Sequence, residues 1–333
     1  MNDPQVTPGQ GAATEVGHRF IEVNGIRVHI AEKGEGPLVV LLHGFPETWY
    51  SWRHQFDALA AAGYHVVAPD QRGYGRTDRP EAVEQYSQLH LVGDVVGLID
   101  ALGAEKAVLV GHDWGSPVAW NTALLRPDRV SGVVALSLPY LPRGPVSALT
   151  GLTQALGPGF YMNYIQQPGV ADAELARDPR GSVLRFFQWG FGDSPQADAP
   201  TLPIVPEGGT LSDLLPEPGE LPDWLTEADL DAYAEDFART GFTGGLNWWR
   251  TMDLSWELTA PWQTAPMTTP ALYVHGERDG SVQLPGFDQL IANLQYLVPN
   301  LTRTVVLPGV GHWTQQERPE EVNAELLKFL SGL

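Results

Sequence analysis

The sequence has no cysteine among its 333 residues. This absence excludes disulfide bonds, thiolate catalysis and cysteine-ligated metal centres. Basic residues are also scarce: 20 Lys and Arg stand against 40 Asp and Glu, which gives a formal net charge of −20. Binding to nucleic acid or to an anionic membrane surface requires clustered Lys and Arg, so neither partner is expected.

Long apolar runs are missing as well. No run reaches the roughly 18 to 20 residues that cross a membrane, and the first residues show no basic region followed by an apolar core. We therefore expect a cytoplasmic protein, as a monomer or a homodimer. Residues 1–15 are rich in Gly, Pro and Thr, which predicts a disordered lead-in.

Short β-branched runs alternate with longer helical patterns from Arg19 onward. Asn24-Gly25 is a strong hairpin signal, so the first two strands should be antiparallel. Later runs such as "PLVVLLHG" are almost continuously apolar, which is typical of strands covered by helices on both faces. The pattern predicts an α/β fold with a mostly parallel, eight-stranded sheet. The predicted strands are 19–23, 28–33, 38–42, 64–68, 107–110, 132–137, 271–275 and 302–307; the predicted helices are 52–62, 87–102, 114–126 and 319–331.

The alternation of strands and helices breaks after the sixth strand. Residues 141–264 hold 17 acidic residues against six Arg and no Lys. We predict an insertion that is helical at its ends, with an acidic, Pro-rich loop at about 191–223. Residues 16–140 and 265–333 then form the core. The simplest explanation of the acidity is a solvated face.

The central chemical signal is Gly111-His112-Asp113-Trp114-Gly115, between a predicted strand and a predicted helix. A sharp strand-to-helix turn requires small residues two positions before and two positions after its central residue, which it lifts clear of the sheet. An aspartate that attacks a saturated carbon forms an ordinary alkyl ester, whereas attack on an ester carbonyl would form an anhydride. Epoxides and alkyl halides are therefore the natural electrophiles for Asp113.

Hydrolysis of such an ester needs a general base and donors for the oxyanion. His312 follows the last predicted strand, so it should lie on a loop at the carboxyl edge of the sheet, where ligands bind in open α/β folds. Asp279, which follows the strand 271–275, is placed to orient His312. Asp253 in the insertion is the alternative acid. No metal or cofactor is predicted.

The turn His43-Gly44-Phe45-Pro46 follows the third predicted strand. The backbone N–H groups of Phe45 and Trp114 are predicted to form the oxyanion hole. Pro46 fixes the turn and is a candidate for a cis peptide bond. A plain turn between strand and helix would explain Gly44 and Pro46 but not His43 or the aromatic-rich "ETWYSW".

Five motifs occur in order: "HGFPETWYSWRHQ", "PDQRGYGRTDRP", "GHDWGS", "YIQQPGVADAEL" and "GVGHWTQQERPEEV". Together they resemble the soluble epoxide hydrolases of the α/β-hydrolase fold, over nearly the whole chain after Val16. The resemblance implies that the insertion is a helical cap over the active site. It also implies Asp113 as nucleophile, His312 as base and Asp279 as its partner, acting with water on an apolar epoxide to give a vicinal diol.

The resemblance further implies two cap tyrosines that bind the epoxide oxygen. The first matches Tyr161, with Tyr164 as a near competitor, but the second position holds Trp249. An indole N–H can donate a hydrogen bond but has no usable acidity, whereas a phenol has a pKa near 10. Trp249 could therefore orient the oxygen while Tyr161 supplies the proton. Further expected substrate contacts are Trp248, His43, Pro46 and Trp313.

Two other functions stay open. Haloalkane dehalogenases share the aspartate turn, and Trp114 with Trp249 would make a plausible halide site, although the His-Gly-Phe-Pro loop lacks the halide-binding Asn or Glu of many dehalogenases. Fluoroacetate dehalogenases carry Arg one and four residues after the nucleophile, where this chain has Trp114 and Pro117. A non-catalytic small-molecule binding protein of the same fold is the third class.

Overall fold

The computed structural model describes residues 15–190, 192 and 203–333. Residues 1–14 of the predicted lead-in lie outside the described residues, as do residues 191 and 193–202 of the predicted acidic loop. None of the described helices is both long and apolar enough to cross a membrane.

A single eight-stranded sheet has the strand order β1-β2-β4-β3-β5-β6-β7-β8. Strands β1 and β2 form the predicted antiparallel hairpin, and β2 also pairs antiparallel with β4, while the other pairs are parallel. The predicted mostly parallel sheet is confirmed, with strand ends shifted by one or two residues. The strands are β1 Gly17–Val23, β2 Ile26–Lys33, β3 Leu38–Leu42, β4 His65–Pro69, β5 Ala107–His112, β6 Val130–Leu136, β7 Ala271–Gly276 and β8 Leu301–Leu307.

Helices surround the sheet and fill the segment between β6 and β7. In the core they are α1 Phe56–Ala61, α2 Gln88–Ala101 and α3 Gly115–Leu125, and, after β7, α12 Phe287–Ala292, α13 Leu294–Leu297, α14 Thr314–Glu317 and α15 Pro319–Leu330. Between β6 and β7 they are α4 Ala148–Leu156, α5 Tyr161–Ile165, α6 Val170–Leu175, α7 Pro179–Gly190, α8 Leu211–Leu214, α9 Glu227–Thr240, α10 Thr243–Arg250 and α11 Met252–Leu258. The predicted helical insertion after the sixth strand is confirmed. We call this segment the cap.

Successive residues of β3 face opposite sides of the sheet, as the two-residue period of a strand requires. Val40 and Leu42 belong to the core cluster that includes α2 and α3. Val39 and Leu41 belong to the cluster that includes α1 and α15. Because helices cover both faces, the central strands read as continuous apolar runs, and polar side chains collect where the strands end.

The predicted helix at 52–62 starts later than expected. A 3-10 turn at Trp49–Trp52 precedes α1, and the Thr48 hydroxyl accepts a hydrogen bond from the Tyr50 N–H at the start of that turn. The turn buries Ser51 and Trp52, so the apolar pattern continues through it without a continuous helix.

Candidate active site

A sharp turn joins β5 to α3 and carries Asp113 at its centre. Asp113 adopts a left-handed backbone conformation with φ of 49°, which is uncommon for a residue other than glycine. A Cβ on Gly115 would lie 2.0 Å from the Leu42 carbonyl oxygen, and one on Gly111 would lie 2.2 Å from the Gly115 carbonyl oxygen. Small residues are therefore required at both positions, for the reason that the sequence pattern suggested.

Three titratable side chains meet beside this turn. The His312 Nε2 atom lies 3.6 Å from Asp113 Oδ2, and His312 Nδ1 lies 3.0 Å from Asp279 Oδ1. Asp279 is completely buried and His312 is 7% exposed. Ser137, which has a φ of 74°, places its hydroxyl oxygen 3.1 Å from the same Nδ1 atom. His312 can thus face the reacting carboxylate while Asp279 fixes its ring.

Burial and charge set the protonation of this group. Burial raises the pKa of Asp113, although the His312 charge opposes that shift. Burial alone would lower the pKa of His312, but Asp279 first and then Asp113 raise it to about 9. The pKa of Asp279 is well below its ordinary value because His312 outweighs the effect of burial. Without substrate, His312 is therefore a cation held by carboxylates.

The two predicted oxyanion donors both face Asp113. The Phe45 N–H donates to Asp113 Oδ1 over 2.8 Å, and a backbone hydrogen bond from Trp114 also lowers the Asp113 pKa. The Phe45-Pro46 peptide bond is cis. The Phe45 N–H thus holds Oδ1, while Oδ2 is the oxygen that lies 3.6 Å from His312 Nε2.

A cavity of about 130 Å³ lies over the Asp113 carboxylate. Trp249 is 5% exposed, and its indole N–H makes no hydrogen bond of good geometry within the described chain. Burial and the Asp113 charge raise the pKa of the Tyr161 phenol. The nearby Trp249 indole lowers it by a smaller amount, so the pKa of Tyr161 is raised overall. Tyr161 is therefore protonated and able to donate. The lining residues are Phe45, Asp113, Tyr161, Phe186, Trp189, Gly190, Pro203, Trp249, Arg278, Asp279, Gly280, Ser281, Gln283, Leu284, His312 and Trp313.

Two aromatic residues predicted to contact substrate point elsewhere. The Tyr164 hydroxyl donates to Glu174 over 2.6 Å, and the Trp248 indole N–H donates to the Arg72 carbonyl over 3.1 Å. Neither side chain lines the cavity that the described residues form. The polar group of each side chain is bound by a neighbour away from the cavity, so their contact with substrate stays a prediction from the sequence.

His43 and Pro46 are likewise absent from the lining of this cavity as described. His43 is buried and its Nε2 accepts a hydrogen bond from the Gln71 N–H over 3.0 Å, so it supports the turn rather than contacting substrate. The alternative acid Asp253 accepts a hydrogen bond from the Ser147 hydroxyl, while Asp279 holds the position beside His312. Trp313, by contrast, lines the cavity.

Glu47 and His112 form a buried pair that the sequence analysis missed. His112 Nδ1 lies 2.7 Å from Glu47 Oε2, and His112 Nε2 lies 2.8 Å from the His312 carbonyl oxygen. Both partners are hydrogen-bond acceptors, so both ring nitrogens of His112 are engaged. His112 outweighs burial and lowers the pKa of Glu47 to about 2. The signal was a polar residue next to Asp113 in an otherwise apolar strand.

Among the described residues, no group of three or more His, Asp or Glu side chains is arranged to hold a metal ion. The polar groups of the cavity include two carboxylates, an imidazole and the hydrogen-bond donors Tyr161 and Trp249. This set is suited to attack on a substrate followed by hydrolysis.

Comparisons with known proteins agree with this geometry. The chain matches the alpha/beta hydrolase fold family over residues 37–319. Epoxide hydrolase A of Mycobacterium tuberculosis is 47% identical over 326 residues, which cover 97% of this chain and 99% of the relative. Epoxide hydrolase 3 of Siraitia grosvenorii is 44% identical over 320 residues, which cover 95% and 99%.

A solved structure gives the same result. The crystal structure of epoxide hydrolase A from Mycobacterium thermoresistibile is similar at a TM-score of 0.89 and 48% identity, covering 96% of this chain and 99% of that one. The similarity extends through the cap as well as the sheet. This chain therefore belongs to the epoxide hydrolases of the alpha/beta hydrolase fold.

Proposed function

We propose that the chain hydrates an apolar epoxide to a vicinal diol through an ester on Asp113. The observation that carries this proposal is a cavity lined by Asp113 and His312 together with two hydrogen-bond donors, the partly buried Tyr161 and the buried Trp249. The lining is rich in aromatic side chains, which suits an apolar substrate with few polar anchors. Water is the second substrate. Cytoplasmic location and a monomeric or homodimeric state remain predictions from the sequence.

In the first step, Asp113 Oδ2 attacks a ring carbon. The new C–O bond forms as the ring C–O bond breaks, and the electron pair of the broken bond goes to the epoxide oxygen. Tyr161 donates its phenolic proton to that oxygen, while Trp249 orients the oxygen through its N–H. Esterification removes the negative charge of Asp113, so His312 loses one cause of its raised pKa and can return a proton to the Tyr161 phenolate.

In the second step, neutral His312 takes a proton from water as the hydroxide adds to the ester carbonyl carbon. Negative charge develops on Oδ1, which the Phe45 N–H binds, and the Trp114 N–H, which also donates to the Asp113 carboxylate, is the second donor of this proposal. Collapse breaks the ester bond to the alkyl oxygen, which takes the proton from His312. The carboxylic acid left on Asp113 then gives its proton to His312, which restores the starting charges.

The haloalkane alternative has less support. A departing halide needs several donors and no proton. Trp114 stacks edge to face against Trp249, but it is not part of the cavity lining that the structure describes, and Trp248 donates to Arg72. Trp249 would be the remaining indole donor, and Tyr161 would have no proton to deliver.

A product assay tests the proposed reaction. Styrene oxide, an aliphatic epoxide and a 1-haloalkane should each be incubated with the wild-type protein, and both diol and halide measured. We expect diol from an epoxide and no halide from the haloalkane. Halide release without diol formation would contradict the proposal and favour the dehalogenase. Binding without turnover would favour the non-catalytic class.

A further inference from the structure

Glu317 lies behind the His312 loop and accepts three backbone hydrogen bonds. Its carboxylate receives the N–H groups of Gly311 over 3.0 Å, Trp313 over 2.9 Å and Gly192 over 3.1 Å. Gly311 and Trp313 are the two chain neighbours of His312. Glu317 is only 6% exposed, so this anion is buried among the N–H groups that it binds.

The backbone of His312 itself is also held on both sides. Its N–H donates to the Gly190 carbonyl over 2.6 Å, and its carbonyl oxygen accepts from His112 Nε2 over 2.8 Å. A Cβ on Gly190 would lie 2.9 Å from the His312 Cβ, so the end of α7 touches the loop directly. These contacts and Glu317 hold the backbone around His312. The ring can then move only by rotation about its side-chain bonds, which the contact with Asp279 restrains.

We propose that Glu317 is a positioning residue that fixes His312 for hydrolysis of the ester and, through Gly192, ties this base to the cap. The inference rests on the proposed function, because it assumes the two-step reaction. Glu317 is absent from the cavity lining described above, so it acts through His312. Hydrogen bonds to an ionised acceptor are stronger than neutral ones, and their loss would leave three backbone N–H groups buried without an acceptor.

The two steps of the reaction separate positioning from general stability. Ester formation depends on Asp113 and on the donors of the cavity wall. Ester hydrolysis depends on His312. A residue that fixes only His312 should slow hydrolysis and leave ester formation unchanged, whereas general damage to the fold would reduce the two together.

The test compares Glu317→Gln with Glu174→Gln. Glu174 is a matched control, because its carboxylate is 8% exposed and accepts the backbone N–H groups of Leu211 and Ser212 within the cap. Each variant should be mixed with styrene oxide in a rapid-quench instrument and the ester on Asp113 followed by mass spectrometry. We expect Glu317→Gln to form ester at the wild-type rate and hydrolyse it about 10²-fold more slowly, the cost of a displacement near 1 Å. Glu174→Gln should match the wild type in both steps.

An unchanged rate of hydrolysis in Glu317→Gln, or an equal loss in both steps, would overturn the proposal. The amount of ester formed in the first turnover measures the concentration of folded, active enzyme in each sample. If Glu317→Gln does not fold, Glu317→Asp serves in its place. The shorter side chain keeps the negative charge but cannot reach all three N–H groups. Ester hydrolysis at the wild-type rate in Glu317→Asp would also overturn the proposal.

His312→Gln provides the reference for the proposed function. If ester accumulates in His312→Gln but not in the Glu317 variant, only the role of Glu317 is wrong. If no ester forms in His312→Gln on a verified substrate, the two-step reaction itself is wrong.

Discussion

At the scale of single residues, the proposed reaction requires the charge of His312 to change. Before substrate reacts, Asp279 and Asp113 hold the His312 pKa at about 9 against the opposing effect of burial. A cationic imidazole cannot take a proton from water. Because the ester on Asp113 is neutral, its formation removes part of the stabilisation of the cation, and the base becomes available only when it is needed.

The first prediction follows from this change in charge. Neutral His312 accumulates as the pH rises, so the rate of ester hydrolysis should increase with pH and reach half its maximum below pH 9. In the free enzyme, the imidazole should titrate with a midpoint near 9. Single-turnover hydrolysis measured across pH, with an NMR titration of His312 in parallel, provides both midpoints. A hydrolysis midpoint equal to that of the free enzyme would contradict the mechanism.

The second prediction concerns the two donors on the cavity wall. Tyr161→Phe removes the proton donor, so ester formation should slow by about 10² to 10⁴-fold, the usual contribution of general acid catalysis. Trp249→Phe removes only an orienting hydrogen bond, which is worth about 1 kcal/mol, or about fivefold in rate. Single-turnover rates on one epoxide test both variants. Full activity in Tyr161→Phe would show that this residue is not the acid.

At the scale of structural elements, the turn between β5 and α3 leaves no room for larger side chains at its two glycines. The helix starts so close to β3 that a Cβ on Gly115 would lie 2.0 Å from a backbone oxygen of Leu42. Relief of this contact would require strand and helix to separate. Asp113 would then move away from the Phe45 N–H, because Phe45 lies in the loop that follows β3.

The third prediction is a pair of Gly→Ala variants with opposite effects. Gly115→Ala should lower the free energy of unfolding by about 3 kcal/mol or more, because the overlap is with the backbone. Gly151 lies inside α4, where an added Cβ would meet only the Val146 side chain at 3.7 Å. Gly151→Ala should raise the free energy of unfolding by up to about 1 kcal/mol. Urea unfolding measures both changes, and similar effects in the two variants would count against this account.

The elements also show what sequence could and could not supply. Strands covered on both faces are continuous apolar runs, so their positions could be predicted to within a residue or two. The order of Asp113, Asp279 and His312 along the chain indicated that they would meet at one edge of the sheet. Spacing could not tell that Tyr164 and Trp248 point away from the cavity, because that depends on acceptors in other elements.

Hydrogen bonds between residues far apart in the chain could not be predicted from the sequence. Glu47 lies 65 residues from His112, and His112 lies 200 residues from the carbonyl that it contacts. His112 stands out as a polar residue at the end of an apolar strand, but nothing local identifies Glu47 or the His312 carbonyl as its partners. Their roles depend on the close approach of loops that the fold brings together.

At the scale of the whole molecule, the negative charge bears on the choice of substrate. The formal net charge is −20, and much of the excess lies in the cap that covers the cavity. A field of this sign repels anions and slows their approach, and added salt screens it within about 10 Å at 0.1 M.

The fourth prediction is a difference in salt dependence. The kcat/KM for an epoxide that carries a carboxylate should be lower than for a neutral epoxide of similar size, and it should rise several-fold as the ionic strength increases from about 0.01 to 0.2 M. The kcat/KM for the neutral epoxide should change little. The two substrates should be compared in the same buffers. An equal response would show that the surface charge does not influence substrate choice.

The fifth prediction addresses the central claim, the covalent ester on Asp113. His312→Gln should be mixed with an epoxide that the wild-type protein hydrolyses, digested and analysed by mass spectrometry. Without its base, the variant should retain the ester, so the peptide that contains Asp113 should gain the mass of the epoxide. Unmodified Asp113 throughout the time course, with the epoxide confirmed as a wild-type substrate, would contradict the account.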